Sequence, residues 1–210
     1  SEIALRSLGN IEIEVSGTAA ELKTLIDTYG TSLTNYSSGL TFKVTDGGEL
    51  QVTSAVLDSL DARVDGAITF SGDSSDIGSL LDNSVPATVK SIVTTDNVLT
   101  LSLDQFRNLP NYYSSDIVIK DGEKNIVDAL NEDLLDDRVT TLVLTDQSNL
   151  IGNGVDDSAL TLTAASASNL LGKKVQSSSD YGSNSTYMPI KIVDRASAIA
   201  TFLEEASIFL

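Results

Sequence analysis

Histidine, cysteine and tryptophan are all missing from this chain of 210 residues, and methionine occurs once. Without histidine, the ordinary general base near neutral pH and the commonest zinc ligand are gone. Without cysteine, so are disulfides, thiolate nucleophiles and thiolate metal sites. Zinc hydrolases, cysteine proteases and Ser-His-Asp hydrolases are thereby excluded. Aromatic residues make up 5% of the chain, too few to line a sugar cleft of the kind an acid-pair glycosidase needs. Positive charge is scarce as well: 13 Lys and Arg face 30 Asp and Glu, for a net charge of −17. Such a surface cannot neutralise phosphates, so nucleic acid is not an expected partner. No apolar run approaches the roughly 20 residues of a membrane span. Phosphate-cradling glycine loops are absent too, since Lys173-Lys174 follows a lone Gly172.

What is present is repetition. A β-like run, a helix-like run and two further β-like runs return along the chain, each followed by a second amphipathic segment. The first pass takes Ile11 to Val15, a helix from Thr18 to Tyr29, Leu40 to Val44 and Leu50 to Thr53. The second takes Ile68 to Phe70, a helix from Asp76 to Asp82, Val89 to Thr94 and Leu99 to Ser102. The third takes Ile117 to Ile119, a helix from Asn125 to Asp136, Thr141 to Leu144 and Leu160 to Thr163. A fourth opens at Ile190 to Val193 with a helix from Ala196 to Glu205. The expected fold is therefore α/β, a solenoid-like, elongated repeat array of strand-helix-strand-strand-helix units with a partly parallel sheet. Its units are 1–66, 67–115, 116–188 with long loops, and 189–210 as the start of an incomplete fourth. Ser1 and the closing Ile208-Phe209-Leu210 read as the ends of a piece cut or matured from a longer chain.

Apolar stripes at helical spacing mark the core faces: Leu22, Leu25 and Ile26; Ile77, Leu80 and Leu81; Ile126, Ala129, Leu130 and Leu134; Ile199, Phe202 and Leu203. Helix starts carry capping chemistry, with Ser16 or Thr18 ahead of Glu21, Ser74 or Ser75 ahead of the second helix, and Asp121 ahead of Glu123. The short polar turns Ser16-Gly17, Ser71-Gly72-Asp73 and Asp121-Gly122 predict strand-to-helix crossovers and hence parallel strands. Asp46-Gly47-Gly48 and Asp96-Asn97, each between two strands, predict tight hairpins.

Carboxylates are the only abundant groups able to do chemistry. Asp133, Asp136 and Asp137 crowd the expected end of the third helix, where Arg138 offsets their charge, and Asp146, Asp156 and Asp157 lie in or beside a Gly/Asn-rich loop. These six are the candidate ligands of a metal, with Ca²⁺ as the ion that an all-oxygen set favours. No other cofactor and no catalytic residue is implied. Asn35-Tyr36-Ser37 and Asn184-Ser185-Thr186 match the glycan acceptor pattern.

Ile117 to Leu130 followed by Val139 to Asp146, and Ile190 to Asp194 with Ala198-Ile199 and Leu203, resemble the tandem αβ repeats of giant secreted surface proteins of cyanobacteria and proteobacteria. In that family a strand and an Asp-containing turn lead into a helix, a second strand ends in Thr-Asp, and a Leu-Thr-Leu-Thr strand follows. Leu160 to Thr163 and Leu99 to Ser102 match that last element. The resemblance implies a non-enzymatic structural or adhesive role at an extracellular location, on a cell surface or on the virion of a phage that has borrowed the module. Neighbouring repeats or subunits of the same protein are then the expected partners, with surface glycans as a further one. A calcium- or glycan-binding module using the acidic loops of the third unit is the alternative.

Overall fold

A computed structural model describes residues 13–33, 40–60, 63–146, 159–177 and 190–207. The fold is mixed α/β, and every strand pairing among the described residues is parallel. Two compact units divide it. One is built on the chain up to Asp96 together with Pro110–Tyr113, the other on Asn97–Leu109 and the chain from Ser114 onward.

The first unit runs β1 (Ile13–Gly17), α1 (Ala19–Leu33), β2 (Leu40–Val44), β3 (Leu50–Val52), α2 (Ser54–Leu60), β4 (Val64–Asp65), β5 (Ile68–Gly72), α3 (Ser74–Asp82) and β6 (Val89–Thr94). Its strands form two sheets of three, ordered β1-β2-β4 and β3-β5-β6. Phe42, Leu50, Ile68, Phe70, Ile77 and Leu81 are fully buried in this unit, and each contributes about 1.5–3 kcal/mol. The second unit runs β7 (Leu99–Leu101), α4 (Leu103–Arg107), β8 (Ile117–Asp121), α5 (Glu123–Asn131), β9 (Val139–Leu144), β10 (Leu160–Leu162), α6 (Ala164–Ser168), β11 (Lys174–Ser177), β12 (Ile190–Ile192) and α7 (Ala196–Ala206). Its sheets are β7-β8-β9-β11 and β10-β12. Central β8 is buried at three successive residues, Ile117, Val118 and Ile119, as expected of a parallel strand covered on both faces. None of the four sheets closes on itself among the described residues.

The hairpins expected at Asp46-Gly47-Gly48 and Asp96-Asn97 do not form. β2 pairs with β1 and β4, β3 with β5, and β6 with β5, so each of these turns carries the chain out of one sheet and into another. The reason lies in the backbone bonds. Thr45 N donates to Gly17 O at 2.9 Å and Thr95 N to Gly72 O at 2.8 Å, so the chain continues alongside the preceding strand beyond the point where a hairpin would reverse it. Gly47, at φ +68°, then supplies a left-handed turn that other residues adopt with strain.

The third expected helix also ends early. α5 stops at Asn131 rather than Asp136, because Asp133 takes a left-handed conformation (φ 52°) and Leu134 N bonds back to Ala129 O at 3.0 Å, the six-to-one closure of a Schellman cap. Leu134 therefore leaves the apolar stripe and is part exposed, and Leu135 is the buried residue instead. Two strands escaped the sequence reading, β4 and β11. Each sets a single apolar residue among polar neighbours, too short a pattern to stand out. No helix among the described residues is long and apolar enough to cross a membrane.

Candidate functional site

Five helices receive a carboxylate on the backbone N–H of their first or second residue from outside their own turn. Ala19 N of α1 donates to Asp46 (3.2 Å), Ser74 N of α3 to Asp96 (2.8 Å), Leu103 N of α4 to Asp121 (3.0 Å), Glu123 N of α5 to Asp146 (2.9 Å) and Ala164 N of α6 to Asp194 (3.0 Å). One rule covers all five. The helix leaves one strand, and the aspartate stands at the exit of the parallel strand paired beside it: β2 beside β1, β6 beside β5, β8 beside β7, β9 beside β8 and β12 beside β10. Each carboxylate thus answers the unsatisfied N–H groups and positive dipole end of a helix while locking two neighbouring strands in register.

The charged form is favoured at Asp96, Asp121 and Asp194. Bonds from the Ser74 hydroxyl and amide hold the Asp96 carboxyl below the usual range. The amides of Arg195 and Ala164 do the same for Asp194. At Asp121, partial burial pushes upward, but bonds from Leu103, Asn125 and Gly122 and the charge of Arg107 outweigh it and the net shift is downward. Local caps complete the helix starts. Thr18 and Glu21 form the reciprocal box expected from sequence, with Thr18 N donating to Glu21 at 2.9 Å and Glu21 N to Thr18 Oγ1 at 3.2 Å. The N-cap of α3, however, is Asp73 rather than Ser74 or Ser75, since the Asp73 side chain accepts from Asp76 N.

Four of the six candidate metal ligands lie among the described residues. Asp156 and Asp157 lie outside the described residues, as do both glycan acceptor triplets. Asp146 caps α5 as described. Asp136 precedes β9 and is held by Arg138, whose Nη2 lies 2.6 Å from its Oδ2. That pair is itself anchored, because the Arg138 guanidinium stands 5.6 Å from the Phe106 ring centroid and Lys173 Nζ donates to the Asp136 carbonyl. Burial acts to raise the pKa of Asp136, yet the Arg138 bonds and charge bring it below the usual carboxylate range. Asp136 and Asp146 flank opposite ends of the six-residue β9, with about 17 Å of strand between them, so no single ion spans both. Asp133 serves the helix stop, and Asp137 follows Asp136 in the turn into β9. Among the described residues no group of three or more acidic side chains is placed to hold a metal.

Two hollows remain. One of about 350 Å³ in the first unit is lined in part by Ser54, Phe70, Asp76 and Asn83, with the Ser54 hydroxyl donating to Asp76 at 2.8 Å. The other, about 280 Å³ and mostly apolar, lies in the second unit between α6, β12 and α7, where Leu170, Leu171, Ile190, Ile192 and Phe202 meet. Apolar residues are exposed on β12, just after it and on α7. Ile190, Val193 and Leu203 are 41%, 56% and 60% exposed, and no residue of α7 is buried.

Neither a protein-family model, nor a curated protein, nor a solved structure matches this chain. The site is therefore read from its own geometry.

The aspartates of the caps, Asp146 apart, were not singled out from sequence as functional. A signal for two of them, Asp46 and Asp96, exists: the dipeptide Thr-Asp recurs at 45–46, 95–96 and 145–146, a spacing of 50 residues. The structure repeats with it. β5 and β8 both slip register after their first residue, at Ile68/Thr69 and Ile117/Val118, and both following helices are nine residues long and end before a left-handed residue, Ser84 or Asp133.

Proposed function

We propose that this chain is a non-enzymatic structural module of an exterior surface, of a cell or of a virion, assembled from repeating strand-helix-strand-strand-helix units. The recurrence of a carboxylate bridge from the exit of one parallel strand to the helix leaving its neighbour carries this reading. It commits the best placed acidic groups to joining adjacent strands, and it can be extended indefinitely by adding strands, as repeat architectures require. The resemblance to tandem repeats of secreted surface proteins points the same way, and a net charge of −17 keeps such a module hydrated in salty surroundings. Asp136 and Asp146, the two described acids best placed for chemistry, are occupied by Arg138 and by Glu123 N.

The test is location. An antibody against the purified chain should label intact cells or virions of the source without permeabilisation. Labelling that appears only after lysis would sink the proposal.

A further inference from the structure

Resting on that reading and deepening it, we propose that β12 and α7 form a docking edge for a partner polypeptide of defined chemistry: an aliphatic strand that adds parallel to β12 and ends in an aspartate that caps α7. Three observations meet at this edge. Among the described residues, β12 pairs with β10 alone. Val193 N donates to Leu162 O, and in a parallel ladder both backbone groups of a residue face the same neighbour, so Ile190 and Ile192 present theirs to the opposite side. Next, Ile190, Val193 and Leu203 are exposed, and the apolar face of α7 buries nothing, whereas the shorter α3 and α5 bury Ile77, Leu80 and Leu81, and Ile126, Ala129 and Leu130.

The arrangement that would cover this face is an interface the chain already builds five times. Asp194, at the exit of β12, serves α6, which leaves β10. By the same rule, α7 takes its carboxylate from the exit of the strand on the far side of β12. The N-cap of α7 is Arg195, whose side chain makes no cap, and no carboxylate among the described residues accepts from Ala196 N. Charge favours the partner, because Lys191 and Arg195 border the edge of an otherwise acidic chain. A second copy docking through its own β1 does not fit, because Ile13–Gly17 is followed by Thr18 rather than by an aspartate. A strand of the type Val139 to Asp146, ending Thr-Asp, does.

The experiment extends the full chain after Leu210 with a Gly/Ser linker and the eight residues Val-Thr-Thr-Leu-Val-Leu-Thr-Asp, which places the strand at millimolar effective concentration. Amide hydrogen exchange is then followed residue by residue, beside a second extension whose final Asp is Ala. The expected result is slowing at Ile192 and Ala196 by about tenfold or more, with Ala196 alone returning to its original rate in the Ala-ended version. Unchanged exchange at both amides overturns the proposal, as does equal protection of Ala196 by the two extensions. Either failure leaves the surface-labelling result standing, so the two readings fall separately.

Discussion

Replacing Asp121 tests the bridging carboxylates where their load is greatest. Its oxygens accept from Leu103 N at 3.0 Å, Gly122 N at 2.8 Å and Asn125 Nδ2 at 2.8 Å. Asp121→Ala removes the cap of α4, worth about 1 kcal/mol, and two further bonds to a charged acceptor whose partners regain water in part, so the total loss is about 2–3 kcal/mol. For a chain of this size that lowers Tm by about 5–10 °C. Asp121→Asn keeps one acceptor oxygen without the charge and should lose roughly half as much. The pH dependence supplies the sharper check. The folded carboxyl lies below its ordinary value of 3.8, so the stability it confers is fully present above that value and fades as pH falls through the lower folded one. Thermal melts at pH 7 and pH 3 should therefore show a large gap between the native chain and Asp121→Asn at the first pH and a smaller one at the second. A gap under about 0.5 kcal/mol at pH 7, or one that does not change with pH, would refute the reasoning.

Glycine positions give a paired prediction. At Gly72 an added Cβ would meet Asp76 Cβ at 2.6 Å, so Gly72→Ala should displace α3 and lower Tm, and Gly47→Ala, in open space but at φ +68°, should cost about 1 kcal/mol of backbone strain without moving any neighbour. Amide chemical shifts of α3 distinguish the two. In the core, Leu130 is fully buried on α5 and Leu130→Ala should cost about 2–5 kcal/mol, read by urea denaturation, while Leu134→Ala, at a part-exposed position past the helix end, should cost far less. Equal effects would restore the longer helix. Calcium titration of Asp136→Asn should match that of the native chain by calorimetry, since Asp136 is committed to Arg138; a lost binding event would return that residue to a metal site.

The strand-to-helix crossovers and the first three amphipathic helices were legible because their signals are local, while the fourth stripe, Ile199, Phe202 and Leu203, is not buried. Leu22 and Ile26, Ile77 and Leu81, and Ile126 and Leu130 fall at helical spacing and are buried where expected. The turns were misread for a physical reason. Asp46-Gly47 has the composition of a hairpin, but what decides its path is a bond from Ala19 N, 27 residues away, and no local pattern contains that information. The same holds for the end of α5, where the apolar Leu134 continues the helical spacing and the left-handed Asp133 cancels it. Asp146 was read by density, as a loop ligand, whereas its position at a strand exit makes it the cap of α5. Only comparison of one repeat with another, Thr45-Asp46 with Thr95-Asp96 and Thr145-Asp146, exposes that role in the letters.

The most direct test of the bridging scheme is amide hydrogen exchange in single Asp→Ala variants at 46, 96, 121, 146 and 194. Each substitution should accelerate exchange at one remote helix start, namely Ala19, Ser74, Leu103, Glu123 and Ala164 in that order, and leave the other four at their native rates, except that Asp121→Ala also frees Gly122 N at the start of α5. Acceleration confined to the substituted turn, or spread evenly over all five helices, would contradict it.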